Sequence, residues 1–357
     1  MTINLPVSPS DIGEPTKPPG MHDVARAAGV SHQTVSRVLN DHPNVRSETK
    51  ERVMRAIAEL GYRRNTAARA LVTRRSGIIG VVTPRSALFG PTSTLIAVEA
   101  AAREAGYFVS LASVASSSPA VMTSALEHFM DQAVEGLVVV APARDLAEAA
   151  SVVATRVPMV MISAGSPEGL GFRTASVDNE LGARKLTRHL LEVGHRDIAH
   201  VSGPEDALES AARVRGWAAE LKAAGLPVPE AYQGDWSPER GYEAGREMLR
   251  RGLPTAVFAA NDHLALGVIR ALTEAGVRVP EDVSVVGFDD VTGSAFFNPP
   301  LTTLKQDFTA LGRQCIEMLC GLMRGEDVEN GLISPVLVVR ASTAAPPTRP
   351  PSPSRRR

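Results

Sequence analysis

The stretch DVARAAGVSHQTVSRVLN, Asp23 to Asn40, decides how the front of this 357-residue chain is read. Val24, Ala25 and Ala28 share one face of a helix running from about Met21 to Ala28. Gly29 follows, the residue that takes the left-handed backbone of a helix end at least cost. Ser31 then offers its hydroxyl as N-cap to a second helix, about His32 to Asn40, striped by Val35, Val38 and Leu39. A third run starts at Ser47, carries Val53, Ile57 and Leu60 at helical spacing and closes at Gly61. Helix, short turn with glycine, helix is the helix-turn-helix pattern, whose second helix can enter the major groove of DNA. Helical hairpins of this shape also occur in proteins that bind no DNA, so the exposed residues must carry the distinction. His32, Gln33, Ser36 and Arg37 lie opposite the apolar stripe. Gln matches adenine bidentately and Arg the O6/N7 edge of guanine. Ser31, Thr34 and Asn40 suit phosphate oxygens.

Charge supports a division of the chain. The net charge is −1, yet residues 20–75 hold eleven Lys/Arg against five Asp/Glu, a basic head on an acidic body. Such asymmetry fits a polyanionic partner for the head, and equally a solvated surface. Hydrophobic residues at 44% and charged residues at 22% are ordinary for a globular protein. No apolar run approaches the roughly 20 residues of a membrane span. The leader, residues 1–19, is rich in proline and polar residues and lacks a secretory pattern. Cys315 and Cys320 lie five apart in one helix-like segment and read as small apolar groups rather than a disulfide. Together these features point to a cytoplasmic protein without a membrane partner.

From Gly77 the texture changes. Short β-branched runs (GIIGVV, YFVSLAS, GLVVV, PMVMI, DIAHVSG, TAVFAA, VSVVGFD and PVLVV) alternate with helical stretches near 92–105, 119–132, 179–193, 209–224, 237–251, 262–276 and 308–323. Continuous apolar strands separated by helices predict parallel sheets covered on both faces. About 265 residues of this pattern exceed one compact sheet, so two α/β lobes are expected, with a ligand crevice at the carboxyl ends of the strands. The tail, residues 344–357, is proline-rich with a basic end and is expected to be disordered. No GxGxxG, P-loop, HExxH or GxSxG pattern occurs, and the eight histidines are scattered, so no enzyme chemistry or cofactor is indicated.

DVARAAGVSHQTVSRVLN, followed by VRSETKERVMRAIAELGYRRNTAARALVT, closely resembles the headpiece of the LacI/GalR family of bacterial transcriptional repressors. The resemblance continues through GHRDIAHVSGP, ARVRGW, FAANDHLALGVIRAL, SVVGFDD and NPPLTTLKQDF, covering about residues 20–343. It implies a small all-α helix-turn-helix headpiece (residues 20–64), a hinge helix and linker (65–76), and a two-lobed α/β effector-binding and dimerisation domain (77–343) like the periplasmic binding proteins. The implied N-lobe comprises about 77–177 and 308–335, the C-lobe about 178–305 and 336–343. It implies a homodimer, associated with the bacterial nucleoid, on a palindromic double-stranded DNA operator with a central CG step. In the family the hinge becomes helical only on DNA and wedges a leucine into the minor groove. The matching residues are Asn65, Ala68 and Leu71. One departure is Gly20, where the family usually has Thr or Ser ahead of the first helix.

Position by position, the resemblance implies effector-binding roles for Arg213, Asn261 and Asp289, with Gln306 and Phe308 near the lobe crossover. Such side chains present paired donors and acceptors to the hydroxyls of a mono- or disaccharide. Trp236 sits in QGDWSPERG, where a sugar-responsive member of the family stacks tryptophan on its ligand. Leu88 and Pro91 in SALFGPTS are expected to line an apolar wall, and Ser163 and Asp178 to occupy positions that vary within the family. The implied function is a repressor released from its operator by a sugar or glycoside. Co-repression is the alternative within the family, and a sugar-binding transport protein the alternative outside it.

Overall fold

In the computed structural model the described residues are 19–63, 75–114, 118–141, 157–165 and 172–348, with 143, 145, 146, 148 and 150 between. The hinge residues Asn65, Ala68 and Leu71 lie outside them. The chain divides into two units, residues 1–75 and 76–357.

The first unit is three helices: α1 (Met21–Ala28), α2 (His32–Leu39) and α3 (Ser47–Leu60). Their boundaries are those the caps predict. Gly29 ends α1 at φ 64° and Gly61 ends α3 at φ 61°, where a side chain would be strained. Ser31 Oγ accepts the Thr34 N–H at 3.2 Å. Gly20, which has no side chain to cap α1, is itself held: its N–H donates to the Asp23 carboxylate at 2.9 Å. Val24, Val35, Val38, Val53 and Ala56 are buried together in one small core. Leu60, in the last turn of α3, departs from the expected stripe and is exposed, while Val53 and Ala56 are buried.

The second unit is α/β throughout. Five strands, β1 (Ile78–Pro84), β2 (Phe108–Val114), β3 (Gly136–Val140), β4 (Met159–Ile162) and β5 (Arg173–Val177), join β10 (Gly331–Ile333) in one parallel sheet of order β10-β5-β4-β3-β1-β2. Alternate residues explain the continuous apolar runs. Val138, Val140 and Val160 face a core with helices α4 (Phe89–Glu104) and α10 (Phe308–Met323), while Leu137, Val139 and Met161 face α5 (Pro119–Asp131). A second parallel sheet holds β6 (Ile198–Val201), β7 (Ala256–Ala259) and β8 (Ser284–Val286). Helices α6 (Asn179–Val193) and α7 (Leu208–Ala223) cover one face, α8 (Pro238–Arg251) and α9 (Asp262–Glu274) the other. Among the described residues no helix is long and apolar enough to cross a membrane.

Three expectations need correction. PVLVV forms β11 (Val336–Val338), a partly exposed strand antiparallel to β9 (Thr303–Lys305) rather than part of a parallel core sheet. YFVSLAS is an edge strand, with Phe108 and Leu111 exposed rather than covered. The tail is docked at its start: Ala344 accepts a hydrogen bond at 2.9 Å from the buried His195 and donates one at 3.0 Å to Ser284.

Candidate functional site

In the headpiece, His32, Gln33 and Arg37 are exposed on α2, and Ser36 is half-buried beside them. The expected phosphate contacts have local partners. The Ser31 and Thr34 hydroxyls are 2.9 Å apart, and the Asn40 amide donates to the Ser36 carbonyl at 2.9 Å. His22, overlooked in the sequence, stacks on His32 with ring centroids 4.6 Å apart and so orients the exposed His32 imidazole.

In the α/β unit both sheets turn their carboxyl ends toward one cavity of about 390 Å³. Pro84 ends β1, Val140 ends β3, Ser163 follows β4 and Val177 ends β5. Pro204 follows β6, Asn261 follows β7 and Asp289 follows β8. Backbone groups at strand ends leave room for a ligand, as parallel α/β sheets do. Leu88, Pro91, Ser163, Arg213, Trp236, Asn261, Asp289, Gln306 and Phe308 all line this space. Asp178 does not. Its carboxylate caps α6, accepting the Leu181 N–H at 2.9 Å, and the next residue, Asn179, reaches the cavity instead.

Arg213 organises the polar wall. Its Nε donates to Asn179 Oδ1 at 2.9 Å and its Nη1 to the Ala260 carbonyl at 2.5 Å. Nη2 lies 3.7 Å from Asp289 Oδ1. The guanidinium sits over Phe288 at 3.7 Å and beside the Trp236 ring at 5.3 Å. Gln306 donates to Asp289 at 2.6 Å. Burial raises the Asp289 pKa to about 6, against the pull of Arg213 and Gln306. Beneath this wall Asp262 accepts from Ser294 Oγ, Thr303 Oγ1 and the Val291 N–H, which anchors the loop carrying Asp289.

Trp236 is half-buried rather than free of the core, and packs against the β6–β8 cluster. Its backbone is at φ 73°, and that of Asp289 at φ 112°, both costly for residues with a side chain. Asn261 Nδ2 donates to the Trp236 main-chain carbonyl at 3.1 Å, which holds the backbone, and Gly203 leaves room beneath the ring. A Cβ at residue 203 would stand 2.3 Å from the indole. Sequence inspection missed Asn179 and Glu209. Glu209, in the first turn of α7, lines the cavity, and burial pushes its pKa up to about 7.

Residues 20–65 match the model of bacterial regulatory proteins of the lacI family, and residues 187–343 the periplasmic binding protein-like domain. The lactose operon repressor of Escherichia coli K12 is 38% identical over 340 residues, 94% of each chain. CelR, an HTH-type transcriptional regulator of Thermobifida fusca, is 36% identical, covering 87% of this chain and 94% of CelR. A crystal structure of the lac repressor dimer bound to operator and the anti-inducer ONPF superposes with TM-score 0.84 at 36% identity, over 92% of this chain and all of that one. On the helix-turn-helix, the two parallel sheets and these matches, the chain belongs to the lacI family of bacterial regulatory proteins.

Proposed function

We propose that the protein is a dimeric transcriptional repressor of carbohydrate-utilisation genes, released from a palindromic operator when a sugar or glycoside fills the cavity between its two sheets. The observation that carries this is the Arg213–Asn179–Asp289 array beside a half-buried tryptophan, placed where both sheets end. A guanidinium, an amide and carboxylates suit adjacent hydroxyls, and an indole face suits the C–H groups of a sugar ring. Relatives support the class of effector: CelR has been solved with cellobiose and the lac repressor with ONPG. In the headpiece His32, Gln33, Ser36 and Arg37 would read bases, with Ser31, Thr34 and Asn40 against phosphates.

The working division is headpiece 20–64, hinge 65–76 and effector domain 77–343, its lobes formed by 77–177 with 308–335 and by 178–305 with 336–343. A hinge that folds only on the operator, with Leu71 as wedge beside Asn65 and Ala68, makes DNA affinity depend on the spacing of the lobes beneath it. Binding to the chromosome places the protein in the cytoplasm, acting without a cofactor or a catalytic step.

Gel retardation on palindromic duplexes with a central CG, with and without β-galactosides and β-glucosides, tests this reading. Retention that sugar abolishes is the expected result. Failure to retain any such duplex overturns the repressor assignment, and tighter retention with sugar reverses the sign of the response. Arg37→Ala should relax one base position per half-site at a cost of about 1–3 kcal/mol per contact.

A further inference from the structure

The side chains expected to grip the effector already hold one another. Arg213 is engaged by Asn179, Ala260 and Asp289; Asp289 by Gln306; and Asn261 by Trp236 and the Leu264 N–H. Two cavity-lining groups stand differently. The Ser163 hydroxyl, on a residue 2% exposed, has no hydrogen-bond partner among the described residues. The Glu209 carboxyl, on a half-buried residue, takes its own backbone N–H and no other hydrogen-bond partner among the described residues, for Arg213, one turn along α7, turns to Asp289. A buried polar group left without a partner, as the Ser163 hydroxyl is, destabilises the fold, and a ligand that supplies the partner relieves that cost. The charge balance bears on which ligand. Among the described lining residues Asp206, Glu209, Asp235 and Asp289 face a single cation, Arg213.

We propose that Glu209 is a specificity-determining residue of the effector cavity: with Ser163 on the opposite sheet's side it receives ligand hydroxyls, and its charge makes the site select neutral glycosides and reject anionic sugars such as uronides. This rests on the effector reading above and refines it. A glycoside hydroxyl donates to the Glu209 carboxylate while Ser163 Oγ donates to or accepts from another. A ligand carboxylate would meet the like charges of Glu209 and Asp289 at the cavity wall and be repelled by both. Binding through the ionised carboxylate also expels a proton. Since burial holds the Glu209 pKa near 7, affinity for a neutral glycoside rises as pH passes upward through that value. The groups sharing its field are Arg213 on α7, Asp289 on the loop after β8, and Asp206 and Asp235 at the exposed mouth.

The experiment compares the full-length protein with Glu209→Gln and Glu209→Asp, after thermal melts establish that each is folded. Methyl β-glucoside and methyl β-galactoside are titrated against their C6-carboxylate counterparts by tryptophan fluorescence at pH 6, 7 and 8. In the native protein the neutral members should bind at least about tenfold tighter, with affinity rising with pH. Glu209→Gln should narrow the neutral-to-anionic ratio and flatten the pH profile, and Glu209→Asp should restore part of both. Asp289 is coupled to Glu209 by charge, so the profile belongs to the pair, and Glu209→Asp, which keeps both charges, is the control for the change made by Glu209→Gln. Equal binding of neutral and anionic sugars by the native protein, or an unchanged ratio and pH profile in Glu209→Gln, overturns the role of Glu209 while leaving the effector cavity in place. No response to any sugar in the panel overturns both.

Discussion

The two walls of the cavity are built from the same kind of parallel sheet, yet they carry opposite chemistry. The wall contributed by the six-stranded sheet is largely apolar: Leu88, Phe89, Pro91, Val140 and Ile162, with Phe308 at the crossover, Phe89 edge-on to it at 5.7 Å, and uncharged hydroxyls such as that of Ser163 as its polar groups. The wall contributed by the three-stranded sheet holds Arg213, Asn261, Asp289 and Glu209, with Trp236 at φ 73° above them. Hydrogen bonds have direction and apolar contact does not. On the proposed reading, the polar wall fixes which hydroxyls are recognised and in what orientation, while the largely apolar wall rewards size. A ligand that bridges the two would feel both.

The hardest blow to this division is Arg213→Ala. It deletes the donor to Asn179 and Ala260 and leaves Asp289 buried without its cation. Breaking a buried pair in this way costs about 3–5 kcal/mol. The expected outcome is an effector domain with a lower melting temperature and sugar affinity reduced by about a hundredfold or more, while the headpiece still retains operator DNA. An effector affinity within a few fold of native would show that the polar wall does not grip the ligand.

Acid probes the floor of the same wall. His200 is fully buried between Trp217 and Phe258 and donates from Nδ1 to the Phe258 carbonyl at 2.9 Å. Burial, first of all, lowers its pKa to about 4. A histidine whose pKa is depressed by folding contributes stability that is full above its unfolded value, near 6.5, and is lost as pH falls toward 4. The loss is on the order of 3 kcal/mol. His200→Phe should start less stable at neutral pH but fall less steeply between pH 6.5 and 4. Parallel acid profiles for the two proteins would remove His200 from the account.

Gly203→Ala asks whether the indole needs its seat. The added methyl would meet the Trp236 ring at 2.3 Å, so the ring must move. Overpacking of this kind costs about 1–3 kcal/mol, and roughly tenfold weaker sugar binding is expected, with red-shifted emission from Trp236. The other tryptophan, Trp217, is 1% exposed and should report no change. The apolar wall should respond more mildly. Leu88 is 39% exposed, and Leu88→Ala removes about 1 kcal/mol of contact, felt by glycosides with bulky apolar aglycones more than by free sugars. A uniform loss across both would mean that Leu88 shapes the polar wall as well.

What could be seen in the sequence divides along similar lines. Helices with long periodic faces and capping residues were legible to within about three residues: Asn179–Val193 and Phe308–Met323 fall where expected, while α4 starts three residues earlier, at Phe89. Short strands made of continuous apolar runs, such as Gly136–Val140 and Ala256–Ala259, were legible as well, but three less apolar ones were not. Arg173–Val177, Thr303–Lys305 and Gly331–Ile333 exist because neighbours supply hydrogen bonds, not because their residues alternate. Of the site, Arg213, Asn261, Asp289 and Trp236 stood in recognisable motifs. Glu209 did not, because an acidic residue in a helix's first turn has an ordinary explanation in the helix dipole, and only the fold turns it toward the cavity.

Asp178 shows how fine that limit is, and its substitution is the smallest effect predicted. Where β5 passes into α6, the residue before the helix must turn its side chain back to the free N–H groups of the first turn, which leaves the first helical residue to face the strand ends. Asp178 therefore bonds the Leu181 N–H, while Asn179 reaches Arg213. A one-residue difference in register separates a structural role from a place in the polar wall. Asp178→Ala should cost about 1 kcal/mol of stability and leave sugar affinity nearly unchanged, whereas Asn179→Ala should weaken binding by freeing the Arg213 Nε. If calorimetry on the two variants found the opposite order, the wall would have to be redrawn with Asp178 inside it and Asn179 as support.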